Sequence, residues 1–149
     1  MQVLTPIRLL SPSQLALPAS GEIRVADGES GKYFGEGWYR VEAIGGVLAR
    51  WTQQPAVIRA ALPPVDTVLS VEATPYGTDQ VVTVLVNGQP VGTLRLSGVW
   101  QQAQITLPAH VLAGYPISTL TLRHAQTGSS PDGSRSLSAA YLVIRFAHS

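Results

Sequence analysis

Residues 67–107 alternate apolar and polar positions with period two, and every interruption is a turn residue. In "TVLSVEA" Leu69, Val71 and Ala73 share one face, while Ser70 and Glu72 share the other. Pro75, Gly77 and Asp79 then make a turn. "QVVTVLV" places Val82, Val84 and Val86 together and ends at Asn87-Gly88, the dipeptide suited to the positive φ angles of a type I′ hairpin. "VGTLRL" is expected to return beside it. Ser97-Gly98 breaks the chain again before "VWQQAQITLP", in which Gln101, Ala103, Ile105 and Leu107 alternate with Trp100, Gln102, Gln104 and Thr106.

Beyond Pro108, "AHVLAGY" predicts a helical connector of a turn or two ending at Gly114. "ISTLTLRH" resumes the alternation with Leu120, Leu122 and His124 on one face. The apolar run "LSAAYLVIRF" predicts a central strand covered on both sides. Between these two lies "AQTGSSPDGSR", eleven residues of turn formers read as an exposed loop. The first half is less regular. "VLTPIRLL" and "EIRV" read as short strands, and "ARWTQQPAVIRAAL" as two strands around Gln53-Gln54-Pro55. No amphipathic stretch of helical period reaches ten residues. Closely spaced strands without βα alternation predict an all-β fold: a two-sheet antiparallel β-sandwich, or jelly roll, of eight to ten strands. The 149 residues are expected to form one domain, 1–149, either complete or excised from a larger protein.

Composition narrows the function more than the fold. Charged residues make up 13% of the chain, about half the usual share, as expected when Thr, Ser and Gln cover exposed sheet faces. The net charge of +1 and singly scattered arginines offer no field for nucleic acid. No run of about 18 apolar residues exists to insert in a membrane, and the first 22 residues lack the apolar core of a signal peptide. The absence of cysteine removes disulfides, thiolate nucleophiles and thiolate metal sites. Lys32 is the sole lysine, which with abundant Ala, Val, Pro and Gly suggests a GC-rich bacterial coding bias.

The segments "YFGEGWYRVE", "ARWT", "VLVNGQPVGTLRL", "VWQQAQITLPA" and "SRSLSAAYLVIRF", in that order, resemble a galactose-binding-like β-sandwich domain. The set is similar to accessory modules of bacterial cell-surface proteins, including the extracytoplasmic tails of some membrane glycosyltransferases. It departs from their Asp-x-Arg-x-Leu-Gly run, because Asp132 stands three residues before Arg135 and Ser138 replaces the glycine after Leu137. The resemblance implies a jelly roll, a non-catalytic role, an extracytoplasmic or cell-surface location, and recognition of a glycan or another surface polymer.

The candidate ligand residues are Glu36, Trp38, Tyr39, Arg50, Asp132 and Arg135. In the loop 27–42, aromatic rings suit apolar sugar faces and carboxylates suit hydroxyl groups. The competing reading has Trp38 plugging the open end of the sandwich. Arg50 and Trp51 are neighbours on a strand and take opposite faces, with Trp51 expected inside and Arg50 exposed. The Arg50 guanidinium would then serve hydroxyls or a carboxylate ligand, or else pair with Glu36 or Glu42. Trp100 is expected in the core. Asp132 and Arg135 occupy the long polar loop, where they serve a ligand or tie the loop to itself. No cofactor is expected; a weak calcium signal comes from oxygens around Asp27, Glu29 and Glu36, without a spaced calcium-loop motif.

For catalysis the inventory is poor, since His110, His124 and His148 stand apart and no nucleophile elbow is present. A Glu36/Glu42 glycosidase pair is the third reading, behind two others. The leading expectation is a non-catalytic carbohydrate-binding or cell-surface accessory module. The alternative is a structural module packing against another domain or subunit through a patch containing Leu9, Leu10 or Leu15.

Overall fold

The computed structural model describes residues 10–148. The strand expected at residues 3–10, and Leu9 with it, falls almost wholly outside the described residues. Among the described residues, ten strands build two facing antiparallel sheets, and a small hairpin supplies two more. The larger sheet contains β1 (Glu22–Arg24), β2 (Trp38–Ile44), β3 (Val47–Thr52), β5 (Thr67–Pro75), β8 (Gln101–Leu107) and β12 (Ala139–His148). Its order is β2-β3-β12-β5-β8, and β1 pairs with β12 beyond the reach of β3. The smaller sheet contains β4 (Ala56–Ala60), β6 (Gln80–Val86), β7 (Gln89–Leu96) and β9 (Ser118–His124), in the order β4-β9-β6-β7. From β3 onward the chain passes repeatedly between the two sheets, the jelly-roll wrapping expected from the strand spacing.

The period-two pattern decides which faces meet. Leu69 and Val71 of β5, Val82, Val84 and Val86 of β6, and Leu120 and Leu122 of β9 are all 0–1% exposed. Each such side chain contributes about 1.5–3 kcal/mol by leaving water. Asn87 (φ 50°) and Gly88 (φ 86°) make the β6–β7 turn, both in the left-handed region that the dipeptide tolerates. A short helix α1 (Ala109–Leu112) buries Val111 and Leu112 and connects β8 to β9, as predicted. β12 is central, with β5 along one edge and β3 and β1 sharing the other.

The expected facing of Arg50 and Trp51 is corrected by register. Arg50 pairs with Tyr141, which is wholly buried, and Trp51 pairs with Ala140. Directly paired side chains share a face, so Arg50 turns inward beside Tyr141 and is half-buried. Trp51 takes the opposite face, half-buried, with its ring edge-on to Tyr76 at 5.5 Å. Trp100 precedes β8 at φ 52° and, half-buried, packs against the core. The polar loop before β12 is also less free than its composition suggests. It folds into β10 (Gly128–Ser129) and β11 (Ser136–Leu137), and Leu137 is buried.

Candidate functional site

The loop 27–42 is built on hydrogen bonds to its own backbone and to β4. Ser30 Oγ donates to Asp27 O (2.7 Å) and Val25 O (3.2 Å), setting up the 3-10 turn Ser30–Tyr33. Tyr33 Oη donates to Ala16 O at 2.6 Å. The amides of Gly35 and Val57 bond to Val57 O and Glu36 O, so the segment is stitched to β4. Gly37 (φ 88°) is required there, because a Cβ would run into the Pro55 carbonyl.

Trp38 lies below this stitching. Its indole N–H donates to Val57 O (2.9 Å), and its ring lies 4.5 Å from Phe34 and 5.3 Å from Tyr141. The half-buried indole therefore caps the end of the core. Arg50 supports the loop from within. Its Nε donates to Val25 O (3.2 Å) and Nη1 to Tyr39 O (3.3 Å), while the guanidinium lies 5.1 Å from the Phe34 ring. The ion pair expected with Glu36 or Glu42 is absent among the described residues, and burial pushes the guanidinium pKa down. Glu36 is exposed.

Tyr39, Arg135 and Asp132 do converge on the rim. Tyr39 Oη donates to Ser136 O (2.9 Å), joining β2 to the β10–β11 hairpin. The Arg135 guanidinium stands 5.1 Å from the Tyr39 ring centre and reaches both Glu42 oxygens, at 2.7 and 3.4 Å. Hydrogen bonding to Glu42 raises the Arg135 pKa. Asp132 Oδ1 accepts from Ser130 Oγ (2.6 Å), Ser134 N (3.0 Å) and Ser134 Oγ (2.7 Å). The Ser130 hydroxyl, followed by the Ser134 amide and hydroxyl, holds the Asp132 carboxyl below the usual carboxylate range. Sequence reasoning missed Glu42 as the partner of Arg135, since the two lie 93 residues apart.

A cleft of about 350 Å³ is lined by Glu22, Arg24, Asp27, Glu29, Ser30 and Lys32. Lys32 and Arg24 had no distinguishing signal beyond Lys32 being the sole lysine. The local residues do not fit a calcium ion. No three Asp, Glu or His side chains among the described residues stand close enough to share a metal. The carbonyls of Val25 and Asp27 already accept from Ser30 Oγ, and Val25 O also from the cationic Arg50, whereas calcium takes six to eight oxygens. Of the patch in the alternative reading, Leu15 is 3% exposed and Leu10 packs against the core, while Leu9 lies outside the described residues.

No protein-family model matches the sequence, and no curated protein matches it. Solved structures do. A family 35 carbohydrate-binding module from an environmental isolate aligns with 85% of this chain and 91% of its own at 13% identity, with a TM-score of 0.55. A family GH115 4-O-methyl-α-glucuronidase with specificity for decorated arabinogalactans matches 79% of this chain at 13% identity and a TM-score of 0.54, over 17% of its own length. A family 36 carbohydrate-binding module in complex with calcium and xylotriose aligns with 76% of this chain and 92% of its own at 16% identity, with a TM-score of 0.45. The chain thus shares the fold of that family 35 carbohydrate-binding module, a two-sheet antiparallel β-sandwich.

Proposed function

We propose that this chain is a non-catalytic carbohydrate-binding module, one sandwich domain working at the cell surface or outside the cytoplasm. The glycan is held on the rim where β2 meets the β10–β11 hairpin. The observation that carries this reading is the convergence of the Tyr39 ring with the Arg135–Glu42 pair, beside Asp132, across two loops tied by the bond from Tyr39 Oη to Ser136 O. A tyrosine presents an apolar face together with a hydroxyl, and a guanidinium and carboxylates donate and accept toward sugar hydroxyls. Glu36 is exposed on the adjoining loop, while Trp38 and Arg50 hold that loop in place.

The sharing of fold with carbohydrate-binding modules supports this role, and so does the use of both Glu42 oxygens by Arg135, which leaves a Glu36/Glu42 glycosidase pair without its second carboxylate. Calorimetric titration with a panel of neutral and uronic-acid oligosaccharides tests the reading. A panel member should bind, and Tyr39→Ala and Arg135→Ala should each weaken it about tenfold, equivalent to about 1.4 kcal/mol. Circular dichroism should show both variants folded. Affinity unchanged in both, or no binding at millimolar concentration, overturns it.

A further inference from the structure

The exposed face of the larger sheet carries a second polar depression, which shares no lining residue with the rim. Two consecutive cross-strand rows line it. One runs Glu22, Arg145, Ser70, Gln104 across β1, β12, β5 and β8. The next runs Arg24, Val143, Glu72, Gln102 over the same four strands. These rows lie roughly 7 Å apart along the strands. Together they enclose a trough of about 190 Å³. Its floor is formed on β12 and β5, each bonded to strands on both edges, so the backbone beneath the trough is fixed by strand pairing.

Charge and hydrogen bonding specify the occupant. Glu22 receives Arg24 Nε at 2.9 Å and Arg145 Nη2 at 2.7 Å, so both cations are already paired. The formal charges of Glu22, Glu72, Arg24 and Arg145 cancel, and an anion entering the trough would meet the Glu72 carboxylate. Glu72 and Gln102 make no side-chain hydrogen bond or ion pair among the described residues, and Gln104 has only a long 3.5 Å contact from Ser70 Oγ. The trough thus offers one free carboxylate acceptor and two amides that donate and accept, around the nearly buried Val143. Adjacent hydroxyls, which both donate and accept, match that set. Trp51 and Thr74 lie in the row beyond, both paired with Ala140.

We infer that this trough is a second saccharide site, taking an uncharged sugar unit of a glycan chain. Its volume is below the roughly 300–1,000 Å³ typical of sites for drug-sized ligands, which suits a single sugar unit whose neighbours in the chain stay in solvent. The inference rests on the glycan-binding reading of the protein and adds a site separate from the Tyr39–Arg135 rim.

The test is an amide NMR titration of the full chain with xylotriose, cellotriose and galactobiose, and with glucuronic acid as the charged comparison. A neutral sugar should shift the amides of residues 70–72 and 102–104. Those shifts should persist in Arg135→Ala, and the Glu72→Ala/Gln102→Ala double variant should weaken the response at least fivefold. The altered side chains are exposed or half-exposed, and the spectrum itself reports whether the sandwich is intact. Shifts confined to the rim overturn this inference and leave the rim reading standing, whereas shifts confined to the trough do the reverse. Tighter binding of glucuronic acid than of any neutral sugar at the trough overturns the assignment to uncharged units, and a silent titration overturns both sites.

Discussion

His124, the last residue of β9, points into the core at 2% exposure, with Nε2 2.9 Å from Tyr141 Oη. Its Nδ1 has no hydrogen-bond partner among the described residues. An imidazolium there would hold two N–H groups with one oxygen to receive them, and burial pushes the pKa down from 6.5 to about 4. The unfolded chain titrates near 6.5, so on acidification it takes up a proton that the folded chain refuses. Stability from this group is complete above pH 6.5 and drains away as the pH falls toward 4. At 1.36 kcal/mol per pH unit, the loss amounts to about 3 kcal/mol. Against a typical 5–15 kcal/mol for a domain, such a loss is large.

Urea unfolding of the wild type and of His124→Gln at pH 7 and pH 4 isolates this contribution. The Gln side chain places an amide near the Nε2 position and does not titrate. The wild type should lose about 3 kcal/mol more than the variant between the two pH values. Equal losses would refute the reasoning. An NMR titration of the wild-type imidazole gives an independent check that needs no variant: a His124 pKa near 6.5 contradicts the buried, neutral assignment.

Two further predictions concern the turn and the metal. Asn87 combines a φ of 50° with side-chain bonds to Val111 O (2.9 Å), Ser118 Oγ (3.2 Å) and the Thr119 amide (2.9 Å). Asn87→Ala should cost about 2–3 kcal/mol in urea unfolding, and Asn87→Gly, which keeps the left-handed backbone, about 1 kcal/mol less; equal costs would show that backbone conformation contributes nothing. Millimolar calcium should leave the thermal midpoint within about 1 °C of its value in EDTA, because an ion at a hundred times its Kd would add about 2.7 kcal/mol and raise the midpoint by several degrees.

The strands from β5 to β9 are legible in the residues themselves, since alternation of Val, Leu and Ile with Thr, Ser and Gln marks a sheet with one buried face. Asn87-Gly88 announces its turn because few other pairs tolerate two positive φ angles. Alternation separates two faces of a strand without saying which is inside. For Arg50 and Trp51 that choice follows from pairing with Tyr141 and Ala140, ninety residues away along the chain. The candidate sites depend on distance in the same way. Trp38 and Arg50 were recognisable as unusual residues, but whether an indole N–H meets a sugar or the Val57 carbonyl depends on how the loop closes over β4. Tyr39 meets Arg135, and Glu22 meets Arg145, through closures that local propensity does not encode. Backbone preference and hydrophobic period act over a few residues and are written in the chain. Register between distant strands arises when the two sheets bury their apolar faces together, and that register assembles both the rim and the trough.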